Sequence, residues 1–189
     1  ASWSISKASL TVKANDMTVT YGDALPGFGL TFTGFVNGET AAVLAGTPVI
    51  DTDYDKGSPV GDYPITVSGY ISGNYDITFV PGMLFVDPAV PVVTVSGNHA
   101  YNGLEQFAAY TVTGVDDKVL IPGTDYVLEG EVSAVDAGAH TFTVTGKGNY
   151  TGTIVSSWSI SKASLTVKSD DKRVTYMSEV PDLTVTITG

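Results

Sequence analysis

Four aspartates between positions 51 and 62 have the spacing that best suits chemistry. Asp51, Asp53 and Asp55 occupy the first, third and fifth places of one segment. Asp62 follows at the twelfth place, so acidic residues stand where calcium-binding loops carry oxygen ligands. The sixth place, however, is Lys56, where the sharp turn of such a loop needs glycine. The sequence therefore leaves two hypotheses open, a calcium site and a solvent-exposed loop.

The histidines and serines do not form a catalytic or metal-binding pattern. His99 and His140 are the only histidines and the chain has no cysteine, so a zinc site is not indicated. His140 aligns with Tyr63 when the two halves of the chain are compared, which favours an aromatic packing role. The G-x-S-x-G setting of a nucleophilic serine is absent. We therefore expect a protein that is not an enzyme and that has no cofactor, calcium apart.

The charge balance restricts the possible partners. The chain has 20 acidic against 9 basic residues and a net charge of −11. Such a surface repels phosphate groups, so we expect no nucleic-acid partner. No segment has the roughly 20 consecutive apolar residues that cross a bilayer, so we expect no membrane insertion by these residues. The absence of cysteine excludes a disulfide scaffold and fits a bacterial surface protein or an intracellular protein.

A repeat organises the chain. Residues 2–13 return without a change as residues 157–168, at a spacing of 155 positions. Weaker matches at the same spacing pair Tyr21 with Tyr176, Pro26 with Pro181, and Gly34 with Gly189. The chain therefore contains one full period of a tandem array and the start of the next period.

Short segments of alternating apolar and polar residues fill this period. They lie at residues 10–12, 17–21, 30–32, 63–67, 75–79, 84–86, 93–95, 110–112, 126–128, 140–144 and 158–160. Gly, Pro, Asn and Asp residues separate them, as is typical of β-sandwiches. We therefore predict an all-β fold of tandem Ig-like β-sandwich modules. Residues 39–44 could form one or two helical turns with Asn37 as the cap, which keeps a β-grasp-like module with one short helix as the alternative.

The repeat predicts four segments along the chain. They are the last strand of a preceding module (1–7), a first module (8–88), a second, Ig-like module (89–162) and the truncated start of a further module (163–189). The two full modules resemble each other, because Gly73-Asn74-Tyr75 aligns with Gly148-Asn149-Tyr150. Prolines at 88 and 91 stiffen the connection between them. Residues 163–189 lack the strands that complete the first module, so we expect strand exchange with a neighbouring chain through this segment.

The aromatic residues raise a second functional hypothesis. Most of the 10 tyrosines and 7 phenylalanines alternate within predicted strands, where core packing is the default. Phe28, Phe35, Tyr54 and Tyr70 are the residues that we predict to be exposed, although they are scattered along the chain. A glycan-binding face would use side chains of this kind.

Several motifs follow one another in the first module. They are Tyr21-Gly22-Asp23, Thr33-Gly34-Phe35-Val36-Asn37-Gly38-Glu39, Gly61-Asp62-Tyr63-Pro64 and Gly73-Asn74-Tyr75. In this order they resemble the bacterial MBG repeat of the YGX type, and the second module is similar to related bacterial Ig-like repeats. In the further copy, Tyr176-Met177-Ser178 departs from the Tyr-Gly-Asp motif. The resemblance implies large, secreted, adhesin-like proteins of the bacterial surface, and it provides no catalytic residue.

The leading functional hypothesis is a structural repeat segment of such a protein. This segment would be a stalk that extends and presents a distal domain, with neighbouring repeats as its partners. Two alternatives stay open, a module that binds a host glycan or protein and an accessory module of an extracellular polysaccharide-degrading enzyme. Exposed aromatic side chains clustered in a groove would favour binding, whereas a uniformly polar surface would favour the stalk.

Overall fold

The fold consists of short strands joined by turns, and the computed structural model describes residues 1–189. The strands are β1 (Ala8–Ala14), β2 (Met17–Thr20), β3 (Leu30–Thr33), β4 (Val49–Asp51), β5 (Gly61–Ser68), β6 (Tyr75–Val80), β7 (Gly82–Asp87), β8 (Val92–Ser96), β9 (His99–Ala100), β10 (Gln106–Phe107), β11 (Ala109–Thr113), β12 (Tyr126–Gly130), β13 (Ser133–Ala134), β14 (Gly138–Gly146), β15 (Thr153–Ser161), β16 (Thr166–Ser169) and β17 (Val185–Thr188). Two short 3₁₀ turns cover Ala41–Val43 and Val115–Asp117. The predicted all-β fold is confirmed. None of the helical segments has the length and hydropathy that crossing a bilayer requires.

The chain divides into two compact units. The first contains Ala1–Val92, Val112–Leu128 and Thr145–Thr153, and the second contains Val93–Thr111, Glu129–Val144 and Ile154–Gly189. The first unit thus holds the first predicted module together with two stretches of the second predicted module. The module boundaries drawn from the sequence stay predictions.

Residues 8–87 form a β-sandwich around one apolar core. One sheet has the strand order β3-β1-β6, and the other has the order β2-β7-β5-β4. Both sheets contribute buried residues to one cluster, which contains Leu10, Val12 and Ala14 of β1, Tyr75 of β6, Ile65 and Val67 of β5, and Leu84 and Val86 of β7. Two sheets that enclose one core define a sandwich, so the predicted Ig-like sandwich is confirmed here. The helix that the β-grasp alternative requires is not formed.

The alternation of side chains in β1 shows how the sequence builds this core. Leu10, Val12 and Ala14 are buried, whereas Thr11 and Lys13 between them are only half-buried. Successive side chains of a strand point to opposite faces of the sheet. The apolar residues of β1 therefore all face the second sheet.

Parallel pairing joins early strands of the sandwich to late ones. β1 pairs in parallel with β6. β2 pairs in parallel with β7, from Met17 opposite Leu84 to Thr20 opposite Asp87. Parallel neighbours need a long crossover connection. Each of these pairs therefore joins strands that are far apart in the sequence of the module.

The predicted helical turns at 39–44 are reduced to the 3₁₀ turn over Ala41–Val43. Thr40, rather than Asn37, caps this turn, because its hydroxyl accepts a hydrogen bond from the Ala42 N–H at 3.4 Å. Asn37 has a φ of 55°, a left-handed conformation that asparagine tolerates. A stretch of this length does not sustain an α-helix by itself.

The second unit contains the shortest strands. β10 pairs with β13, and β9 pairs in parallel with β15, with His99 opposite Ile160. The sequence predicted strands at the positions of β8, β11, β12, β14 and β15. It did not predict β9, β10 or β13, because a strand of two residues displays no period.

Identical residues have different structures near the two ends of the chain. Residues 157–161 lie in β15, where Trp158 and Ile160 are buried. Residues 1–7 form no strand, and Trp3 and Ile5 are each 83% exposed. The strand predicted at 1–7 is therefore not formed. A strand needs hydrogen-bonded neighbours, and β15 has two of them in β14 and β9.

The further copy of the first module keeps the strand register of the original. β16 pairs antiparallel with β17, with Thr166 opposite Thr188. β1 pairs antiparallel with β3, and Thr11 lies opposite Thr33, so the register recurs at the spacing of the repeat. The repeated sequence thus specifies a repeated pair of strands, although every residue of β16 and β17 is exposed.

Candidate functional site

The structure brings together two of the four aspartates of the calcium hypothesis. Asp51 and Asp53 line a small cleft of about 70 Å³. Asp55 opens the next turn, and Asp62 lies in β5 four residues before Thr66, the residue opposite Asp51. Pro64 and Thr66 of β5 line the cleft, whereas Asp62 of the same strand does not. No three His, Cys, Asp or Glu residues of the chain are grouped so that they could hold a metal ion.

We expect millimolar calcium to leave the melting temperature unchanged. Calcium takes about six to eight oxygen ligands, and only two carboxylates line this cleft. Calorimetry in calcium and in a chelator checks this, with Asp51→Asn as the matched variant. A calcium-dependent rise in Tm that Asp51→Asn abolishes would instead establish the site.

None of the four aromatic residues predicted to be exposed is fully exposed. Tyr54 is 2% exposed, and its hydroxyl donates a hydrogen bond to the Asp23 carbonyl oxygen at 2.7 Å. The prediction is therefore wrong for Tyr54, which lies in a loop where burial depends on the tertiary fold. Phe28, Phe35 and Tyr70 are half-buried and pack against the same core.

Two histidines flank a buried tryptophan in the second unit. The Trp158 ring lies 5.2 Å from the His99 ring and 5.1 Å from the His140 ring, centroid to centroid. The indole N–H donates a hydrogen bond to the Glu131 carbonyl oxygen at 2.7 Å. His140 Nδ1 lies 2.9 Å from the Glu131 carboxylate, and its Nε2 lies 3.0 Å from the Asp136 carbonyl oxygen. His140 therefore packs as an aromatic residue while both of its nitrogens are paired.

His140 should make stability depend on pH. Its hydrogen bond to Glu131 raises the pKa of His140 above the usual 6.5, and the Asp136 carbonyl oxygen acts in the same direction. Because the folded pKa is raised, this stabilisation is fully present below the unfolded pKa and is lost as pH rises through the folded pKa. Urea denaturation across this range measures the loss. The Glu131→Gln variant should flatten the dependence, and an unaltered profile would contradict the role of the carboxylate.

The first unit contains a packed contact between the two predicted modules, which we name the junction. It joins Tyr21, Gly22, Lys56 and Val60 of residues 8–88 to Val115, Asp116, Asn149 and Tyr150 of residues 89–162. The rings of Tyr21 and Tyr150 meet edge to face, with centroids 5.5 Å apart and an interplanar angle of 80°. Such a pair contributes about 0.5–1.5 kcal/mol beyond the burial of its area.

Hydrogen bonds fix the backbone where the chain passes from one predicted module to the next. The Ala89 N–H donates to the Asn149 carbonyl oxygen at 3.0 Å, and the Thr151 N–H donates to the Ala89 carbonyl oxygen at 2.8 Å. The Val60 N–H donates to the Asn149 side-chain oxygen at 2.9 Å. Asn149 therefore accepts hydrogen bonds both from Ala89, which connects the two predicted modules, and from Val60 of the first sandwich.

Tyr150 also anchors the 3₁₀ turn that faces Gly22. Its hydroxyl accepts a hydrogen bond from the Val115 N–H at 3.3 Å. Burial raises the pKa of the Tyr150 phenol, so the phenol stays neutral at physiological pH. Asp116 of this turn pairs with Lys56 at 3.0 Å. Both of these side chains are more than half exposed, so the ion pair contributes at most about 1 kcal/mol.

The side chains of the junction form packing and hydrogen-bond contacts and include no catalytic arrangement. A cleft of about 210 Å³ at its rim is lined by tyrosine rings, the Val115 side chain and the Lys56–Asp116 ion pair, which together offer no nucleophile beside a general base. In the sequence, Gly148-Asn149-Tyr150 stands out as the match of Gly73-Asn74-Tyr75. The contact of Asn149 and Tyr150 with the first module was not foreseen, because it joins residues that are far apart in the chain.

The first unit thus combines the β-sandwich of residues 8–87 with the junction. Within it, residues 10–85 match the family model of the MBG domain (YGX type). This range falls inside residues 8–88 and contains the Tyr21-Gly22-Asp23 motif, as the resemblance implied. No curated protein matches the chain.

Among solved structures, the chain is similar to one in the crystal structure of Dpr2 Ig1-Ig2 in complex with DIP-Theta Ig1-Ig3. The identity is 13% and the TM-score is 0.28, over 82% of this chain and 65% of that chain. This chain thus spans just under two thirds of that chain's length. The fold is assigned from the two sheets of residues 8–87 and the core that they share.

Proposed function

We propose that the chain is a stalk segment of a bacterial cell-surface, adhesin-like protein, in which it extends and presents a distal domain. The observation that carries this proposal is the junction, where Ala89, Asn149 and Thr151 are hydrogen-bonded without a flexible linker. A fixed contact between consecutive modules converts added modules into added length. The MBG domain at 10–85 and the repeat at 155 residues support the same interpretation.

The proposed role is structural, with neighbouring repeats of the same protein as partners and an extracellular location. MBG domains occur in extracellular surface proteins, which supports the location. They are typically non-catalytic modules, which supports a role without catalysis or a cofactor.

The glycan- or host-protein-binding alternative has less support. It needs a groove with clustered, exposed aromatic side chains, whereas Tyr54 is buried and Phe28, Phe35 and Tyr70 pack on the core. No residue of the chain specifically favours an accessory module of a polysaccharide-degrading enzyme.

We also propose strand exchange through residues 163–189. β16 has β17 as its hydrogen-bonded neighbour, whereas β1 has both β3 and β6. Leu165, Leu183 and Ile187 are each more than half exposed, so a strand from a second chain would cover apolar surface. Sedimentation velocity should show concentration-dependent dimers that Val167→Asp weakens. A monomer at every concentration would count against exchange.

The stalk is tested by placing one, two or three 155-residue periods between a surface anchor and a fluorescent reporter. The height of the reporter above the cell surface should grow linearly with the number of periods, whereas a flexible linker grows about as the square root of its length. A height that does not change with the number of periods would overturn the proposal. Saturable binding of the purified chain on a glycan array would favour the binding alternative.

A further inference from the structure

Gly22 lies directly against Val115 within the junction. A Cβ atom at this position would lie 2.2 Å from Val115 Cγ1 and 2.8 Å from Val115 Cγ2. Carbon atoms prefer separations of about 3.5–4.0 Å. A side chain at position 22 therefore cannot coexist with Val115 in its present place.

An ordinary explanation for this glycine is its own backbone, because Gly22 has a φ of 90° and glycine adopts such values without a steric cost. The repeat argues against that explanation. Met177 is the equivalent of Gly22 in the further copy, and it has a φ of 67°. The turn of the module therefore accepts a non-glycine residue in the left-handed region.

A second glycine of the same module behaves differently in the repeat. A Cβ atom at Gly34 would lie 2.4 Å from the Ser9 carbonyl oxygen, inside its own module. The further copy keeps glycine at 189, where a Cβ atom would lie 2.7 Å from the Ser164 carbonyl oxygen. Glycine is thus retained where the module approaches its own backbone and replaced where the neighbouring module approaches.

We infer that Gly22 is a docking residue, and that the residue at this position decides whether the following module can form the close junction. The partner that this surface fits is an Ig-like module that presents a β-branched residue on a 3₁₀ turn beside a Gly-Asn-Tyr tyrosine, as Val115 and Tyr150 do. A methionine, as at 177, excludes that fit. Glycine and methionine in successive periods would then encode stiff and compliant junctions, a refinement that rests on the proposed stalk function.

Two spin labels in the first unit test this inference on the full chain. The chain has no cysteine, so cysteines introduced at the exposed positions Asp76 and Thr124 carry the only labels. Pulsed electron paramagnetic resonance should give a narrow distance distribution in the wild type, and Gly22→Met should lose it. Gly38→Met is the matched control, because Gly38 has a φ of 73° with nothing within 4 Å of an added Cβ, and it should keep the narrow distribution.

Two further variants separate the contact from a general loss of folding. Gly22→Asn and Gly38→Asn repeat the comparison with a residue that tolerates the left-handed region. Adding Val115→Ala to Gly22→Met removes both γ-methyl groups and leaves the Val115 Cβ at 3.0 Å, so the narrow distribution should return in part.

The outcomes distinguish this inference from the stalk proposal. A narrow distribution in the wild type and an equally narrow one in both Gly22 variants overturn the inference and leave the stalk proposal standing. A broad distribution in the wild type removes the rigid junction on which the stalk proposal depends.

Discussion

Replacing Tyr150 with alanine should lower the free energy of unfolding of the first unit by about 3–5 kcal/mol, the usual cost of truncating a buried aromatic side chain. Tyr150 is 5% exposed, and its ring contacts the ring of Tyr21 edge to face. Its hydroxyl accepts a hydrogen bond from the Val115 N–H. The substitution removes both contacts and leaves a cavity. Equilibrium urea denaturation measures the loss, and the spin-label distance across the junction should broaden with it.

Two milder variants show which part of Tyr150 matters. Tyr150→Phe keeps the ring and loses the hydrogen bond, so we expect a loss of about 1 kcal/mol. Lys56→Ala breaks only an exposed ion pair, so we expect at most about 1 kcal/mol. If Tyr150→Ala cost no more than Lys56→Ala, Tyr150 would not be the energetic centre of the junction.

Replacing Trp158 with alanine should destabilise the second unit by a similar amount, about 3–5 kcal/mol. Trp158 is 6% exposed, contacts the rings of His99 and His140, and donates its indole N–H to Glu131. Truncation leaves the Glu131 carbonyl oxygen without this donor and leaves both imidazole rings without their packing partner. Thermal unfolding followed by near-ultraviolet circular dichroism measures the effect.

The chain supplies its own control for this prediction. Trp3 has the same neighbours in sequence, since residues 2–13 and 157–168 are identical, yet it is 83% exposed. Trp3→Ala should change stability by no more than about 0.5 kcal/mol, as surface substitutions do. Equal losses from the two substitutions would mean that Trp3 is also buried in solution.

The two tryptophans also show how far the sequence predicts the fold. Alternation placed the strands of the sandwich correctly, because Leu10, Val12 and Ala14 all face one core. Alternation also predicted a strand at 1–7, which is absent. Local sequence specifies the faces of a strand, whereas a hydrogen-bonded neighbour decides whether the strand forms, and no local pattern reports that neighbour.

The junction was the least predictable part of the molecule. Val60 and Asn149 are 89 positions apart, and neither belongs to a periodic pattern that indicates their contact. The Gly-Asn-Tyr and Tyr-Gly-Asp motifs were both visible in the sequence. Only the tertiary structure shows that they meet, because turns of consecutive modules come together through the packing of whole sheets.

The parallel pairing of β2 with β7 bears on how a stalk responds to a pulling force. β2 lies near the start of the sandwich and β7 at its end, with Met17 opposite Leu84 and Thr20 opposite Asp87. Tension between the two ends of the module draws β2 backwards along its axis and β7 forwards. Because the strands are parallel, they slide in opposite directions, and the hydrogen bonds between them are loaded in shear and must break together. We therefore expect this strand pair to act as a mechanical clamp, which resists extension better than strands that peel apart one bond at a time.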